Sequence, residues 1–248
     1  MSYLKIYGER NTGTNYLDQL IGMNYGIQSL PGNPPEQLWP FNATFRGSDL
    51  FREAWHHATF YKNLGWKHTR IAFPKFANAF SRFDHLHIIC LFKNPYSWIL
   101  SLHKRPYHLS GHVGLRLEDF LSLPCRARLR EHTRGKVKNV VELWNIKARS
   151  YLECQQKWNA KFVFYETILS DWLQVLKDIE THFQWEQPSS YMNIERGTKG
   201  ENKSFDDYNR YYLNEEWRNS LTKEAITIIN NDLDFDLVRK LGYKKIDW

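Results

Sequence analysis

The sequence is poor in cysteine. Its three cysteines, Cys90, Cys125 and Cys154, are odd in number, lie far apart in the chain and lack the spacing of metal ligands. A disulfide-held secreted domain needs paired cysteines and a structural zinc site needs closely spaced ones, so the sequence favours neither. We therefore expect no metal site, and the cysteine content fits a reducing compartment.

Long apolar runs are also missing. No stretch of about 18 consecutive apolar residues occurs, which excludes a typical transmembrane helix. Residues 1–6 pass directly into a strand-like pattern, without the basic region and long apolar region of a secretory signal. From the sequence we expect a cytoplasmic protein that has no membrane partner.

Acidic residues are outnumbered, with 27 Asp and Glu against 34 Lys and Arg, a net charge of +7. Such a surplus attracts anions, whether a nucleotide, an acidic glycan, nucleic acid or a membrane surface, and the charge alone does not choose among them. The basic residues are scattered except within residues 126–138. That stretch either borders an anion site or, as is usual for a charged run, forms a solvated surface.

The length of 248 residues suits one domain, residues 1–248. Strand and helix patterns alternate along the chain. The predicted strands are residues 3–7, 87–92 and 161–165, the predicted helices are residues 14–23, 73–83, 96–103, 137–152, 168–183 and 221–241, and two long loops cover residues 28–48 and 195–207. Apolar strands between helices indicate the α/β class, with a three-layer α/β/α architecture and a central, mostly parallel sheet.

A glycine-containing turn follows the first strand. Gly8 and Gly13 have the G-x-x-x-x-G spacing, and a helical pattern begins at Thr14. A loop of this kind directs backbone N–H groups and the positive end of a helix dipole at a phosphate. A tight turn without a ligand would have the same spacing, but the strand–turn–helix context favours a P-loop-type phosphate site.

The residues that hold magnesium in nucleotide triphosphatases are missing. Those enzymes place Lys and then Ser or Thr after the second glycine, and an Asp at the end of a later strand. Here Thr14 and Asn15 follow Gly13, and Lys93 directly follows the second predicted strand. The sequence therefore favours a nucleotide whose reaction needs no metal.

Three segments in the same order make the interpretation specific. Residues 10–17 read Arg-Asn-Thr-Gly-Thr-Asn-Tyr-Leu, residues 66–68 read Trp-Lys-His, and residues 92–95 read Phe-Lys-Asn-Pro. They resemble the 5′-phosphosulfate loop, the Lys-Ser/Thr-His segment and the Arg-Asn-Pro motif of the sulfotransferase family, and residues 164–166 resemble its Tyr-Glu-Asp turn. The resemblance implies a P-loop-containing fold, 3′-phosphoadenosine 5′-phosphosulfate (PAPS) as co-substrate, adenosine 3′,5′-bisphosphate (PAP) as product, and no metal.

The resemblance also implies roles for individual residues. His68 is the expected base, and Lys67 and Arg10 are the other expected catalytic residues, because Asn11 stands where the family has its loop lysine. Lys93 stands where the family has the arginine for the 3′-phosphate, so it keeps the charge but loses the bidentate fork. The expected nucleotide-binding residues are Arg10, Asn11, Thr12, Gly13, Thr14, Asn15, Lys93, Ser101, Tyr165, Arg196 and Lys199.

The acceptor would be attacked through a hydroxyl or an amine. The 10 Trp, 14 Tyr and 15 Phe suit a bulky core first, and some of these rings could also enclose a small molecule or a saccharide as acceptor. Two alternatives stay open. One is a P-loop small-molecule kinase, opposed by Thr14 and Lys93, and the other is a non-catalytic protein that binds an anionic nucleotide or nucleic acid, supported by charge and aromatic rings alone. The sulfotransferase hypothesis implies no nucleic-acid partner.

Overall fold

A computed structural model describes residues 2–35, 48–107, 109–133, 136–195 and 203–247. The strands are β1 Tyr3–Gly8, β2 Leu86–Phe92, β3 Cys125–Arg126, β4 Lys136–Val137 and β5 Lys161–Phe164. The helices are α1 Thr14–Tyr25, α2 Ser48–Ala58, α3 Phe60–Asn63, α4 Lys75–Phe80, α5 Pro95–Lys104, α6 Leu117–Ser122, α7 Val140–Trp158, α8 Tyr165–Ser170, α9 Trp172–Phe183, α10 Phe205–Leu213, α11 Lys223–Asp232 and α12 Phe235–Lys240.

A parallel sheet with the strand order β1-β2-β5 lies at the centre of the described chain. Gly8 at the end of β1 is in register with Leu91, and Phe92 at the end of β2 is in register with Phe164. The carboxyl ends of the three strands therefore meet at one edge of the sheet, where ligands bind in open α/β folds. β3 and β4 form a separate antiparallel ribbon.

Helices bury both faces of this sheet. Side chains alternate between the faces along each strand, which makes the strands almost continuously apolar. One face packs against α1 and α9 in a cluster that includes Leu4, Ile6, Leu20, Ile89, Leu91 and Leu176. The other packs against α4 and α7 in a cluster that includes Tyr7, Phe76, Ile88, Cys90, Phe92 and Tyr151. The predicted three-layer α/β/α architecture is confirmed.

Two predicted helices are each divided in two. Residues 168–183 belong to α8 and α9, and residues 221–241 contain α11 and α12. The second member of each pair starts at an aspartate cap: Asp171 accepts from the N–H of Gln174 at 2.9 Å, and Asp234 accepts from the N–H of Leu237 at 3.0 Å. The helical spacing of apolar residues continues across each break, so hydrophobic periodicity did not indicate where the first helix ends. The informative residue was the aspartate, a common N-cap.

The predicted loop at residues 195–207 is wrong at its carboxyl end, because α10 begins at Phe205. Ser204 Oγ accepts from the N–H of Asp207 at 3.1 Å, and the Asp207 carboxylate accepts from the N–H of Ser204 at 3.0 Å. This reciprocal capping box starts a helix within a polar sequence. Residues 36–47 of the other predicted loop lie outside the described residues.

In the described ranges, no helix is both long and apolar enough to cross a membrane.

Candidate functional site

The loop between β1 and α1 turns back on itself at the carboxyl edge of the sheet. Gly13 has φ +91°, and a Cβ there would lie 2.7 Å from the ring of Tyr165, so both backbone conformation and space require glycine. Thr12 donates its N–H and its hydroxyl to the carbonyl of Glu9 at 3.2 and 2.6 Å. The N–H groups of Gly13, Thr14 and Asn15 belong to the first turn of α1, where an α-helix offers them no acceptor. Such N–H groups are the donors with which the amino-terminal end of a helix can hold an anion.

Behind the loop lies a buried cluster of four charged side chains, Glu9, Arg10, Glu131 and Lys147. Arg10 lies 3.2 Å from Glu9 and 3.3 Å from Glu131, and the Lys147 ammonium donates to both carboxylates. Burial alone would lower the pKa of Arg10, but Glu131 and Glu9 outweigh it and the pKa is raised. The four charges cancel. Arg10, one of the predicted catalytic residues, therefore has its charge neutralised inside the protein.

Asn11 connects the loop to α5. Its Nδ2 donates to the carbonyl of Ser101 at 3.1 Å, and its Oδ1 accepts from the hydroxyl of Tyr107 at 3.1 Å. The backbone of Asn11 has φ +64°, a conformation in which asparagine is common. The side-chain amide of Asn11 thus holds the loop in place, at the position where the family that the sequence resembles has a lysine.

Lys67 and His68 contact the same loop from the segment after α3. The ammonium of Lys67 donates to Asn15 Oδ1 at 2.5 Å, beside the amino-terminal end of α1. His68 Nδ1 lies 2.6 Å from the carbonyl oxygen of Gly8. Because a carbonyl only accepts, Nδ1 carries a proton, and in the neutral ring Nε2 keeps its lone pair. Burial and the charge of Lys67 hold the pKa of His68 well below its ordinary value.

Lys5 and Tyr7 of β1 fix the turn that precedes Lys67. The Lys5 ammonium donates to the carbonyls of Asn63 and Gly65 at 2.5 and 2.7 Å, and the Tyr7 hydroxyl donates to the carbonyl of Leu64 at 2.7 Å. A buried ammonium is retained when it has several acceptors. Sequence reasoning missed both residues, because a strand lysine gives no sign of the partner it will reach.

The indole of Trp66 packs against His68. The two rings meet edge to face with centroids 4.9 Å apart. The guanidinium groups of Arg130 and Arg10 lie 4.6 and 5.4 Å from the Trp66 ring, and Arg130 also binds Glu53 at 2.7 Å. Arg130 comes from the basic stretch 126–138. The expectation of a solvated surface there is wrong for this residue, which is buried.

Lys93 and Ser101 lie together on the other side of the site. Lys93 is 1% exposed, and its ammonium donates to Ser101 Oγ at 2.9 Å, to the hydroxyl of Tyr212 at 2.9 Å and to the carbonyl of Asn11 at 3.3 Å. The Tyr212 and Tyr165 rings lie 4.0 and 4.9 Å from the same ammonium. Burial lowers the pKa of Lys93 to about 7, although nearby Glu166 acts in the opposite direction.

Lys93 and Ser101 line a cavity of about 210 Å³. Its wall combines cations with aromatic rings, the surface expected for an anionic ligand that has an aromatic part. The charged lining residues are Lys93, Lys104, Arg105, Lys203 and Asp207, and the aromatic ones are Tyr16, Tyr165, Phe205, Tyr208, Tyr211 and Tyr212. Asn11, Gly13 and Ser101 also line it, so the loop and α5 meet there.

Glu166 fixes the turn between β2 and α5. Its carboxylate accepts from the N–H of Asn94 at 2.9 Å and from the hydroxyl of Tyr243 at 3.0 Å, and burial raises its pKa. Asn94 in turn caps α5 by accepting from the N–H of Tyr96 at 3.0 Å. This places Lys93, immediately before the turn, at the cavity wall.

The structure brings most of the predicted residues to one loop. His68 contacts it at Gly8, Lys67 at Asn15, and Lys93 at Asn11. Arg10 is not among the described residues that line the cavity. Arg196 and Lys199 lie outside the described residues. The lining residues that sequence reasoning missed are mainly Lys104, Arg105, Lys203, Tyr208, Tyr211 and Tyr212.

One signal would have located α10 and its tyrosines: the capping box at Ser204 and Asp207. Across the described part of the chain, no group of three or more His, Cys, Asp or Glu side chains has a metal-binding arrangement.

The chain matches no protein-family model and no curated protein. Among solved structures it is similar to the sulfotransferase domain from the curacin biosynthetic pathway, over 99% of each chain with 12% identity and a TM-score of 0.52. It also aligns with the sulfotransferase domain from the Synechococcus PCC 7002 olefin synthase (93% of each chain, 15% identity, TM-score 0.47). A third match is retinol dehydratase in complex with androsterone and inactive cofactor PAP (97% of this chain, 78% of that one, 12% identity, TM-score 0.38). The first of these matches shows that the chain has a sulfotransferase-type α/β fold.

Proposed function

We propose that this chain is a PAPS-dependent sulfotransferase that transfers a sulfuryl group to a hydroxyl or amine of a small molecule or saccharide. The observation that carries the proposal is the arrangement around one loop. A neutral histidine contacts the loop at Gly8, and a buried lysine with a serine partner contacts it at Asn11, beside a cationic, aromatic cavity. A base and an anion site at two ends of one phosphate-type loop suit group transfer from a nucleotide.

His68 is the proposed base. Its Nδ1–H donates to Gly8, so the lone pair of Nε2 remains to accept a proton from the acceptor. Its lowered pKa keeps the ring neutral at neutral pH, and a neutral ring is the form that can act as a base. The contact with Trp66 fixes the ring plane.

Lys67 is the proposed cation at the transferred group, in preference to Arg10. The carboxylates of Glu9 and Glu131 neutralise Arg10, whereas the ammonium of Lys67 lies at the start of α1 with an amide oxygen as its neighbour. The helix dipole and the N–H groups of Gly13 to Asn15 add positive potential there. Sulfuryl transfer, like phosphoryl transfer, depends mainly on positioning and charge stabilisation of this kind.

The cavity residues fit the nucleotide. Lys93 and Ser101 would hold its 3′-phosphate, and Tyr165 and the other aromatic rings of the cavity would contact its adenine ring. Lys93 is buried against two hydroxyls and one carbonyl, and no carboxylate of the described residues lies within hydrogen-bonding distance of it, which favours an anionic ligand at this position. When bound, the nucleotide supplies the activated sulfuryl group. The kinase and non-catalytic alternatives have no comparable support.

We propose that residues 1–248 form a single sulfotransferase domain and that it acts in the cytoplasm, because its three cysteines are buried thiols. We also propose that neither nucleic acid nor a membrane is a partner. For the acceptor, the half-buried ring of Trp55, which packs against His56, offers a stacking surface to a small molecule or a saccharide.

The test begins with ligand binding, which needs no acceptor. PAP should raise the melting temperature of the protein, because a ligand that binds only the folded state stabilises it by mass action. ATP with Mg²⁺ should have little effect. Stabilisation by ATP alone, or by neither nucleotide, would contradict the proposal.

The catalytic part is tested with His68→Asn after a screen with labelled PAPS has found an acceptor. Asparagine retains a donor for Gly8 but has no basic nitrogen, so kcat should fall by about 10²- to 10⁴-fold while PAP affinity is unchanged. The matched control is His85→Asn, at an exposed histidine, which should retain wild-type kcat. Equal rates for both variants would exclude His68 as the base.

A further inference from the structure

Three polar groups form a closed triangle at the cavity wall. The ammonium of Lys93 lies 2.9 Å from Ser101 Oγ and 2.9 Å from the hydroxyl oxygen of Tyr212, and the two hydroxyl oxygens lie 3.2 Å apart. Lys93 directly follows β2, Ser101 lies about two turns into α5, and Tyr212 is near the end of α10. Three separate elements thus bring one cation and two hydroxyls to the same point.

A lysine alone is a poor match for a phosphate. An ammonium is a compact point charge on a flexible chain, whereas a guanidinium presents two parallel donors to two oxygens. A site built on lysine therefore needs directional donors from other side chains to fix the phosphate orientation. Ser101 Oγ donates its proton to the carbonyl of Ser97 at 2.9 Å. The Tyr212 hydroxyl, which accepts from Lys93, is therefore the donor in its 3.2 Å contact with Ser101. Rotation about the C–O bond of Tyr212 turns this proton to a phosphate oxygen that binds beside Lys93.

The ring of Tyr212 is held rigidly. It meets Tyr165 and Tyr211 edge to face at 5.1 and 5.0 Å, and it lies parallel to Tyr208 at 6.5 Å. The Lys93 ammonium lies 4.0 Å from the ring centre. Because these contacts fix the ring before a ligand arrives, little conformational entropy is lost when its hydroxyl forms a bond to the ligand.

We infer that Tyr212 is a phosphate-binding residue: its hydroxyl donates to the 3′-phosphate of the nucleotide and supplies the directional bond that lysine, unlike arginine, does not. This inference rests on the proposed function, because Lys93 must first be the site of that phosphate. It adds a specificity determinant, since the contact distinguishes a nucleotide that carries a 3′-phosphate from one that does not.

The test is the affinity of Tyr212→Phe for two ligands, PAP and adenosine 5′-monophosphate, measured by isothermal titration calorimetry. Phenylalanine keeps the ring and its face-on contact with the Lys93 ammonium, and it removes the hydroxyl together with the hydrogen bond that this hydroxyl accepts from Lys93. A hydrogen bond to a charged group corresponds to about a tenfold to hundredfold change in affinity, so Tyr212→Phe should bind PAP more weakly by that factor. Its affinity for the monophosphate should remain within about twofold, because this ligand lacks the phosphate concerned.

Two further variants complete the experiment. Lys93→Met should weaken PAP binding and leave the monophosphate unaffected, which locates the 3′-phosphate. Tyr61→Phe, at an exposed tyrosine, controls for the substitution itself and should bind both ligands like the wild type. The monophosphate affinity of each variant also reports whether the cavity has kept its folded shape.

The possible results distinguish a failure of the proposed function from a failure of the role inferred for Tyr212. If the wild-type protein does not bind PAP, the proposed function fails and the inference fails with it. If wild type binds PAP and Lys93→Met weakens binding but Tyr212→Phe does not, the proposed function stands and the inference is overturned. Equal weakening of both ligands by Tyr212→Phe also overturns it, because the hydroxyl would then support the cavity rather than the phosphate.

Discussion

Replacing Lys147 by methionine tests whether the buried charged cluster supports the loop. Methionine retains much of the volume of lysine but removes the ammonium that bridges Glu9 and Glu131. Two buried carboxylates would then share the single charge of Arg10. Removing one partner of a buried ion pair costs about 3–5 kcal/mol, because the remaining charge has lost its solvent and its partner.

The size of the effect is measurable in a chain of this length. In domains of about 150–250 residues, 1 kcal/mol corresponds to a shift of about 2–4 °C in the melting temperature. The Lys147→Met variant should therefore melt about 6–20 °C below the wild type at neutral pH. Urea denaturation followed by circular dichroism gives the free energy of unfolding independently.

The pH dependence has a definite sign. The folded variant holds an uncompensated buried carboxylate, so it takes up a proton more readily than the unfolded chain does. When the folded state binds more protons, its stability rises as the pH falls. The difference from wild type should therefore shrink between about pH 7 and about pH 5.

A matched control lies on the same helix. Lys157 is exposed near the end of α7 and its ammonium lies 4.4 Å from the centre of the Phe73 ring, so Lys157→Met should change the free energy of unfolding by no more than about 1 kcal/mol. A loss below about 1 kcal/mol for Lys147→Met, or a loss that does not depend on pH, would refute the cluster as a support of the loop.

Two other predictions concern the cavity. Gly13→Ala should abolish PAP binding and lower stability by about 1–3 kcal/mol, because its Cβ would lie 2.7 Å from the Tyr165 ring on a backbone with φ +91°; wild-type affinity in calorimetry would contradict this. Affinity for PAP should fall by up to about tenfold per pH unit above pH 7, because burial lowers the pKa of Lys93 to about 7 and phosphate binding requires its charged form. The Lys93→Arg variant stays charged, so its affinity for PAP should not depend on pH in this range. Wild-type dissociation constants that do not vary with pH would exclude the titration of Lys93 as a control of PAP binding.

Some parts of the site could be predicted because their signals are local. The turn from Gly8 to Gly13 is recognisable from its spacing between a strand and a helix. Lys93 directly follows one strand and Ser101 lies in the next helix, so a single stretch of sequence places them together. The hydrogen bond that Lys93 donates to Ser101 agrees with that expectation.

The surroundings of Arg10 could not be predicted in this way. Its charge looks available in the sequence, but its partner Glu131 is far along the chain, and the long-range packing of α7 decides the pairing. Tyr212 illustrates a different limit. Its helix begins in polar sequence, so hydrophobic periodicity gave little signal, and the cap at Ser204 was the informative feature.

The charged cluster also bears on the order in which the protein is made and folds. The ribosome adds Glu9 and Arg10 more than a hundred residues before Glu131 and Lys147. Contacts between such distant residues form late, because a long segment of chain must first be ordered. The loop between β1 and α1 is thus synthesised well before it is fully supported, and a chain stopped before α7 has the loop sequence without the Lys147 ammonium that bridges Glu9 and Glu131.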